Sequence, residues 1–388
     1  MLRTSAPLKG ALDVNRSASM LNNATKTYQA RSDFIPMDSV DSLVLERAPD
    51  FVDYLFFHNV LDKFCWLIRL QYADKATVKR KHYRLDTLFQ RFIVGGGFSI
   101  AKAKKCQSPA ATADLSLMEY HLTKGWLNEL VRSDPLHPDM VQFGTNLQAW
   151  PGPGSGGLAG WNVIQSYYAF YEFISCICTS INPKLDTRGH KKVGREYGSQ
   201  TIGSAAGRLL FYPFTITSNS SPKQFPTHPD FTRFHYATYP REMGRGIVDL
   251  EDEVQKAFAL LGGKSTSSIY DLLYELRLWA NYTGVTSLMT LSDGGYQKFL
   301  MRNLGALVYF SGGMAELAYL SAAGVAAYLG ALKRFSLDYI DKHERFARHK
   351  YLIPSYVRLR SYKHLGILNA QIDFIIPPTA DPIEFIDV

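Results

Sequence analysis

Apolar residues in this chain recur every three or four positions and almost nowhere every second one, a period that confines it to helices. Phe51–Leu70 (FVDYLFFHNVLDKFCWLIRL), Ser116–Val131 and Trp161–Ile181 carry the pattern clearly. Further helices are expected at about Leu250–Leu261, Ser267–Tyr282, Gly295–Phe310, Gly313–Phe335 and Tyr339–His349. With 388 residues, 46 % of them hydrophobic, there is material for one large or two ordinary domains. The fold class is therefore mainly α, with a helical bundle in the C-terminal half and a mostly helical N-terminal region. Two stretches break the period. WPGPGSGGLAG at Trp150–Gly160 is too dense in Gly and Pro for a helix and predicts a domain boundary or long loop. Tyr212 to about Arg245, punctuated by Pro213, Pro222, Pro226, Pro229 and Pro240, predicts irregular structure. The resulting division is a helical region over 1–150, a bundle over 160–335, and a basic helix with an acidic tail over 336–388. There is no internal repeat.

Glycine also decides how the most apolar stretch is read. Asn303–Leu332 carries one charge, Glu316, but its longest uncharged run, Leu317–Leu332, has 16 residues where about 20 are needed to cross a bilayer. Gly312-Gly313 divides it, so the expectation is two core helices packed through small residues, in a soluble protein with no membrane contact. No charged-then-apolar signal peptide opens the chain, and residues 1–31 are expected to be a flexible arm. Four cysteines, Cys65, Cys106, Cys176 and Cys178, form neither a disulfide framework nor a zinc or redox spacing. Free thiols in a reducing cytoplasm, with no metal and no cofactor, are expected.

The net charge of +8 is concentrated. Between Leu61 and Lys105 eleven Lys and Arg face three Asp, and Lys342–His364 holds seven more bases. Such concentrations grip phosphate backbones by counterion release, or else are solvated helix faces. Lys79, Arg80, Lys81 and Arg84 are the densest run. Two apparent motifs fail on inspection. Gly262-Gly263-Lys264-Ser265 would end a phosphate-binding loop, but Phe258 stands where its first glycine belongs. Pro153-Gly154-Ser155-Gly156-Gly157 has Pro in place of the first Gly of a nucleophile elbow.

Ser267–Tyr282 (SSIYDLLYELRLWANY) carries two adjacent stripes at helical spacing. Ile269, Leu272, Leu276 and Ala280 make a core face, and Tyr270, Tyr274, Arg277 and Asn281 align a guanidinium, a carboxamide and two phenols beside it. Such a row is either a polar seam that ties helices together or a binding face.

Order along the chain adds to this row. Gln165-Ser-Tyr-Tyr-Ala-Phe-Tyr-Glu172 is followed by Arg188-Gly-His-Lys-Lys-Val193 and, after a long gap, by Glu275-Leu-Arg-Leu-Trp-Ala-Asn-Tyr282. This succession resembles the HEPN superfamily, and most its YaaC-like branch, over roughly residues 160–330. The resemblance implies an α-helical bundle that often dimerises. It implies in many members a metal-independent ribonuclease of toxin–antitoxin or antiphage systems, and so RNA and a homodimer partner. The chemistry suits these residue types. RNA brings its own nucleophile in the 2′-hydroxyl, so the protein supplies a base near neutrality and a planar cation for the phosphate. The candidate catalytic residues are His190, Arg277, Asn281 and Tyr282. Arg188, Lys191 and Lys192, with Lys79, Arg80, Lys81 and Arg84, are candidates for holding RNA. His190, between Arg188 and Lys191-Lys192 at an expected helix start, should have a lowered pKa.

The chain departs from the active members' Arg followed four to six residues later by His. Arg132–His137 has that spacing but contains Pro135, and Arg358–His364 lies in the basic stretch outside the matched bundle. Arg302-Asn303 begins like the motif, but Leu304 and Leu307 occupy the next positions where His could serve. A non-catalytic module that binds a protein or nucleic-acid partner is accordingly the second reading. An enzyme of another class in residues 1–150 is the third, and that region offers no paired carboxylates, metal spacing or phosphate loop.

Overall fold

A computed structural model describes residues 51–72, 85–95, 114–132, 156–199, 209–219, 241–261, 266–282, 296–348 and 353–368. These are helical almost throughout, and the β pairing among them is an isolated antiparallel bridge between Thr217 and Ser268. In chain order the helices are α1 (Phe51–Tyr72), α2 (Leu85–Gly95), α3 (Leu115–Arg132), α4 (Gly156–Ile181), α5 (His190–Gly198), α6 (Arg241–Leu261), α7 (Ile269–Tyr282), α8 (Tyr296–Ala323), α9 (Val325–Phe335), α10 (Glu344–Arg348) and α11 (Pro354–His364). None of the described helices is long and apolar enough to cross a membrane. The N-terminal arm, Lys79, Arg80, Lys81, Arg84, both failed motifs' loop residues (153–155 and 262–265) and the end of the acidic tail lie outside the described residues.

Local chemistry starts the helices that matter most. Asp114 caps α3, its carboxylate accepting from the Leu117 backbone N–H at 3.0 Å. Ser268 and Asp271 form a reciprocal box at the start of α7: the Ser268 hydroxyl accepts from the Tyr270 N–H at 3.2 Å, and the Asp271 carboxylate accepts from the Ser268 N–H at 2.9 Å. Pro354 opens α11, where its missing N–H costs nothing. The helices then assemble around α4, against which α3, α5, α7 and α8 all pack, while α1 lies on α6 and α8. One apolar core runs through residues from Tyr54 to Leu368 and draws on all three segments of the sequence division.

Four expectations about helix limits need correction. α4 begins at Gly156, inside the Gly/Pro run, because Pro151 and Pro153 both precede it and the long apolar continuation outweighs roughly 1 kcal/mol per early glycine. α6 begins at Arg241, directly after Pro240, whose ring restricts its own backbone and that of the residue before it but leaves Arg241 free to turn. Most instructive is α8, which runs unbroken through Gly312-Gly313 for 28 residues and ends only at Gly324, whose φ of +86° favours glycine. Gly312 and Gly313 are sites of close approach. A Cβ on Gly312 would stand 2.9 Å from Arg358 Cζ, and one on Gly313 would overlap the Phe89 ring. The expected last helix at Tyr339–His349 is instead a wider turn at Ser336–Ile340 followed by α10.

Those glycines make room for a buried charge network. Arg358 on α11 is fully buried and donates to both Glu129 oxygens on α3 at 2.7 and 2.8 Å, and to Glu316 Oε1 on α8 at 2.7 and 3.0 Å. Trp126 Nε1 donates to the same Glu316 oxygen at 2.7 Å, and the Tyr362 hydroxyl donates to Glu316 Oε2 at 2.7 Å. Burial acts to lower the Arg358 pKa, but the two carboxylates outweigh it and hold the guanidinium above its ordinary value. Burial lifts Glu129 above the usual carboxylate range in spite of Arg358. Arg358→Met should cost about 3–5 kcal/mol in urea unfolding, because it strands two buried carboxylates. Adding Glu129→Leu and Glu316→Gln to that variant should recover part of the loss, whereas no recovery would show that the guanidinium's packing, not its charge, is what the fold needs.

Candidate functional site

α4, α5 and α7 meet over a cluster of tyrosines around His190 and Arg277. α7 runs antiparallel to α4: Phe170 faces Tyr270, Tyr167 faces Tyr274, and Tyr168 meets Arg277. Gly194 on α5 lets the helix close on α7, since a Cβ there would stand 2.7 Å from the Tyr270 ring. His190 begins α5. Its Nδ1 bonds the Tyr167 hydroxyl at 2.8 Å, and its carbonyl accepts from the Tyr270 hydroxyl at 2.8 Å. The imidazole lies 4.2 Å from the Tyr171 ring, centroid to centroid. Nε2 has no partner among the described residues.

Arg277 sits over three phenol rings, 5.3 Å from Tyr167, 5.3 Å from Tyr274 and 5.8 Å from Tyr168. One of its terminal nitrogens donates to the Tyr168 hydroxyl at 3.2 Å, and its buried Nε meets no acceptor among the described residues. No described carboxylate forms an ion pair with it. That contrasts with Arg358, and with Lys63, which pairs with Glu253. A half-buried guanidinium set over aromatic faces, with donors to spare, is chemically suited to receive an anion.

The expected cations beside His190 behave differently. Arg188 and Lys192 both bond Asp186, at 2.9 and 2.7 Å, and these bonds hold the Asp186 carboxyl well below the usual carboxylate range. Lys191 is exposed and lies close enough to Glu275 to act on its carboxyl, which burial lifts above its ordinary value. Asn281 follows Arg277 by one turn and is half-buried, while Tyr282 at the end of α7 is 75 % exposed. The structure thus brings His190 and Arg277 together, sets Asn281 and Tyr282 farther along α7, and occupies Arg188 and Lys192 with Asp186. Among the described residues no group of His, Cys, Asp and Glu is arranged to hold a metal ion.

A second histidine supports the floor of the cluster. His121 on α3 is buried, with Nδ1 on the Glu172 carboxylate at 2.6 Å and Nε2 on the Thr187 hydroxyl at 2.8 Å. Carboxylate, imidazole and hydroxyl in that order could activate a nucleophile. Thr187, however, is 7 % exposed and its carbonyl is held by the Tyr171 hydroxyl, so here the chain of bonds fastens the 182–189 loop that delivers His190. No spacing in the sequence connects these residues. The arginines of both Arg–His pairs are engaged, Arg358 in the core and Arg132 with Ser166 and the Met301 carbonyl, and His137 lies outside the described residues.

Comparison with family models, curated proteins and solved structures finds no match for the chain.

Burial, then the Arg277 charge, lower the His190 pKa, and Glu172 opposes them more weakly. A base whose pKa falls on folding binds fewer protons in the native state. Its contribution to stability is therefore complete above the ordinary imidazole pKa of about 6.5 and declines as pH falls from there toward the folded value. In an NMR titration His190 should protonate below that ordinary value, and Arg277→Gln should raise its midpoint. A midpoint that does not move would mean that the two side chains are not electrostatically coupled.

Proposed function

We propose that the chain is a HEPN-like, RNA-directed protein that cleaves RNA without a metal at the His190–Arg277 cluster, working as a homodimer in an antiphage or toxin–antitoxin role. The supporting observation is a guanidinium that meets no carboxylate among the described residues, beside a neutral imidazole whose Nε2 has no partner among them. In this reading Arg277 takes a phosphate oxygen and stabilises the charge that builds on phosphorus. His190, with Nδ1–H donating to the Tyr167 oxygen, uses the Nε2 lone pair to take the proton from the ribose 2′-hydroxyl. The 2′-oxygen then attacks the adjacent phosphorus to form a 2′,3′-cyclic phosphate, and the 5′-oxygen of the next nucleotide leaves, taking up a proton from water. Lys191, exposed on α5, contributes to backbone affinity, as do Lys79, Arg80, Lys81 and Arg84.

A non-catalytic interaction module is the second reading. It is favoured by the bonds from Tyr167 to His190 and from Tyr168 to Arg277, which are those a purely structural tie between α4, α5 and α7 would use.

End-labelled RNA incubated in EDTA with the purified protein should be cleaved, and Arg277→Ala and His190→Ala should each reduce the rate by about 100-fold or more while melting cooperatively. Intact RNA at high protein concentration would refute cleavage. Variants that melt far below the parent would assign the cluster to the structural tie.

A further inference from the structure

Trp161 lies in the first turns of α4 and is 52 % exposed, an unusual setting for the largest apolar side chain. Seven residues, or two helical turns, separate it from Tyr168, so the two occupy one face of α4 about 10 Å apart along its axis. Tyr168 is the residue whose hydroxyl receives Arg277. Because α7 runs antiparallel to α4, its C-terminal end, with Asn281 and exposed Tyr282, lies toward the Trp161 end of α4. The open guanidinium is therefore flanked, along the same helix face, by an indole with uncovered surface.

We infer that Trp161 is a base-stacking site for a nucleotide next to the phosphate held by Arg277, an inference that rests on the RNA reading above. The pairing of groups follows nucleic-acid chemistry: a planar cation suits the phosphate, and an aromatic face suits the base, which any of the four bases can offer. Only an unpaired base has that face to give, since a duplex keeps its bases stacked on one another. The site thus selects single strands without selecting sequence, and the selection resides in Trp161 rather than in the cations.

The test uses the full chain and a short, fluorescently labelled 2′-O-methyl oligonucleotide, single-stranded or annealed to its complement. The methyl group removes the attacking hydroxyl, so the probe stays intact. The expected result is that Trp161→Ala weakens single-strand binding by roughly 5- to 100-fold and abolishes the preference over duplex. Trp161→Phe should restore most of the affinity, and Arg277→Ala should weaken both forms. Single-strand affinity unchanged in Trp161→Ala but lost in Arg277→Ala would overturn the stacking site and leave the RNA reading standing. No binding by the parent protein would overturn both. If Trp161→Ala changes the sedimentation of the protein but not its affinity for RNA, the indole serves contact between two copies of the chain and the inference fails.

Discussion

The Arg358 guanidinium shares its hydrogen-bond donors between Glu129 and Glu316, joining α11 to α3 and α8 in the interior. Two carboxylates and a guanidinium are held among apolar side chains, an arrangement that burial alone would disfavour. It holds because the remaining acceptor positions on Glu316 are filled by Trp126 and Tyr362, and because Gly312 and Gly313 let the guanidinium lie against the backbone of α8. α3 and α8 also pack against α4, the helix supplying Tyr167, Tyr168 and Tyr171 of the candidate site. The site's walls are thus set by a charge network that takes no part in it.

The two arginines show how surroundings divide one side chain between two tasks. Arg358 donates to three oxygens of two carboxylates and to the Tyr309 carbonyl, and has nothing left to offer a ligand. Arg277 meets phenol rings and one hydroxyl, which position it without neutralising it. Aromatic faces are a low-cost way to hold a guanidinium for an incoming anion, because they do not have to be displaced when it arrives. His121 fastens the loop by bonding Glu172 and Thr187, while the Glu172 carboxylate acts on His190 more weakly than burial and Arg277 do.

Much of the helical framework is legible in the sequence, since α1, α3 and α7 lie within a few residues of where apolar spacing puts them. What the spacing cannot convey is why a residue is small or charged. Gly312-Gly313 has the composition of a break, yet its role comes from Phe89 and Arg358, which belong to other helices. Arg358 sits in a run of bases and looks like part of a solvated face; its partners lie 42 and 229 positions away. In the candidate site, Arg277 and the tyrosines share one helical stripe and could be found together. His121 could not, because its two contacts are 51 and 66 residues distant and no local pattern marks them.

The coupling between His190 and Arg277 has a consequence for the order of events in the proposed site. In the unliganded protein burial, and after it the guanidinium, lower the affinity of the imidazole for a proton, which favours its neutral form but also makes it a weaker base. A phosphate paired with Arg277 cancels much of that positive field. The imidazole then holds a proton more readily at the moment the 2′-hydroxyl is presented to it, so binding of the phosphate itself strengthens the base. A site built from a carboxylate-paired arginine would lack this response, because its field would already be neutralised before the substrate arrived. In the proposed reaction, the lack of a carboxylate beside Arg277 among the described residues would link recognition to proton transfer: it leaves the anion's place open, and filling that place would change the neighbour's chemistry.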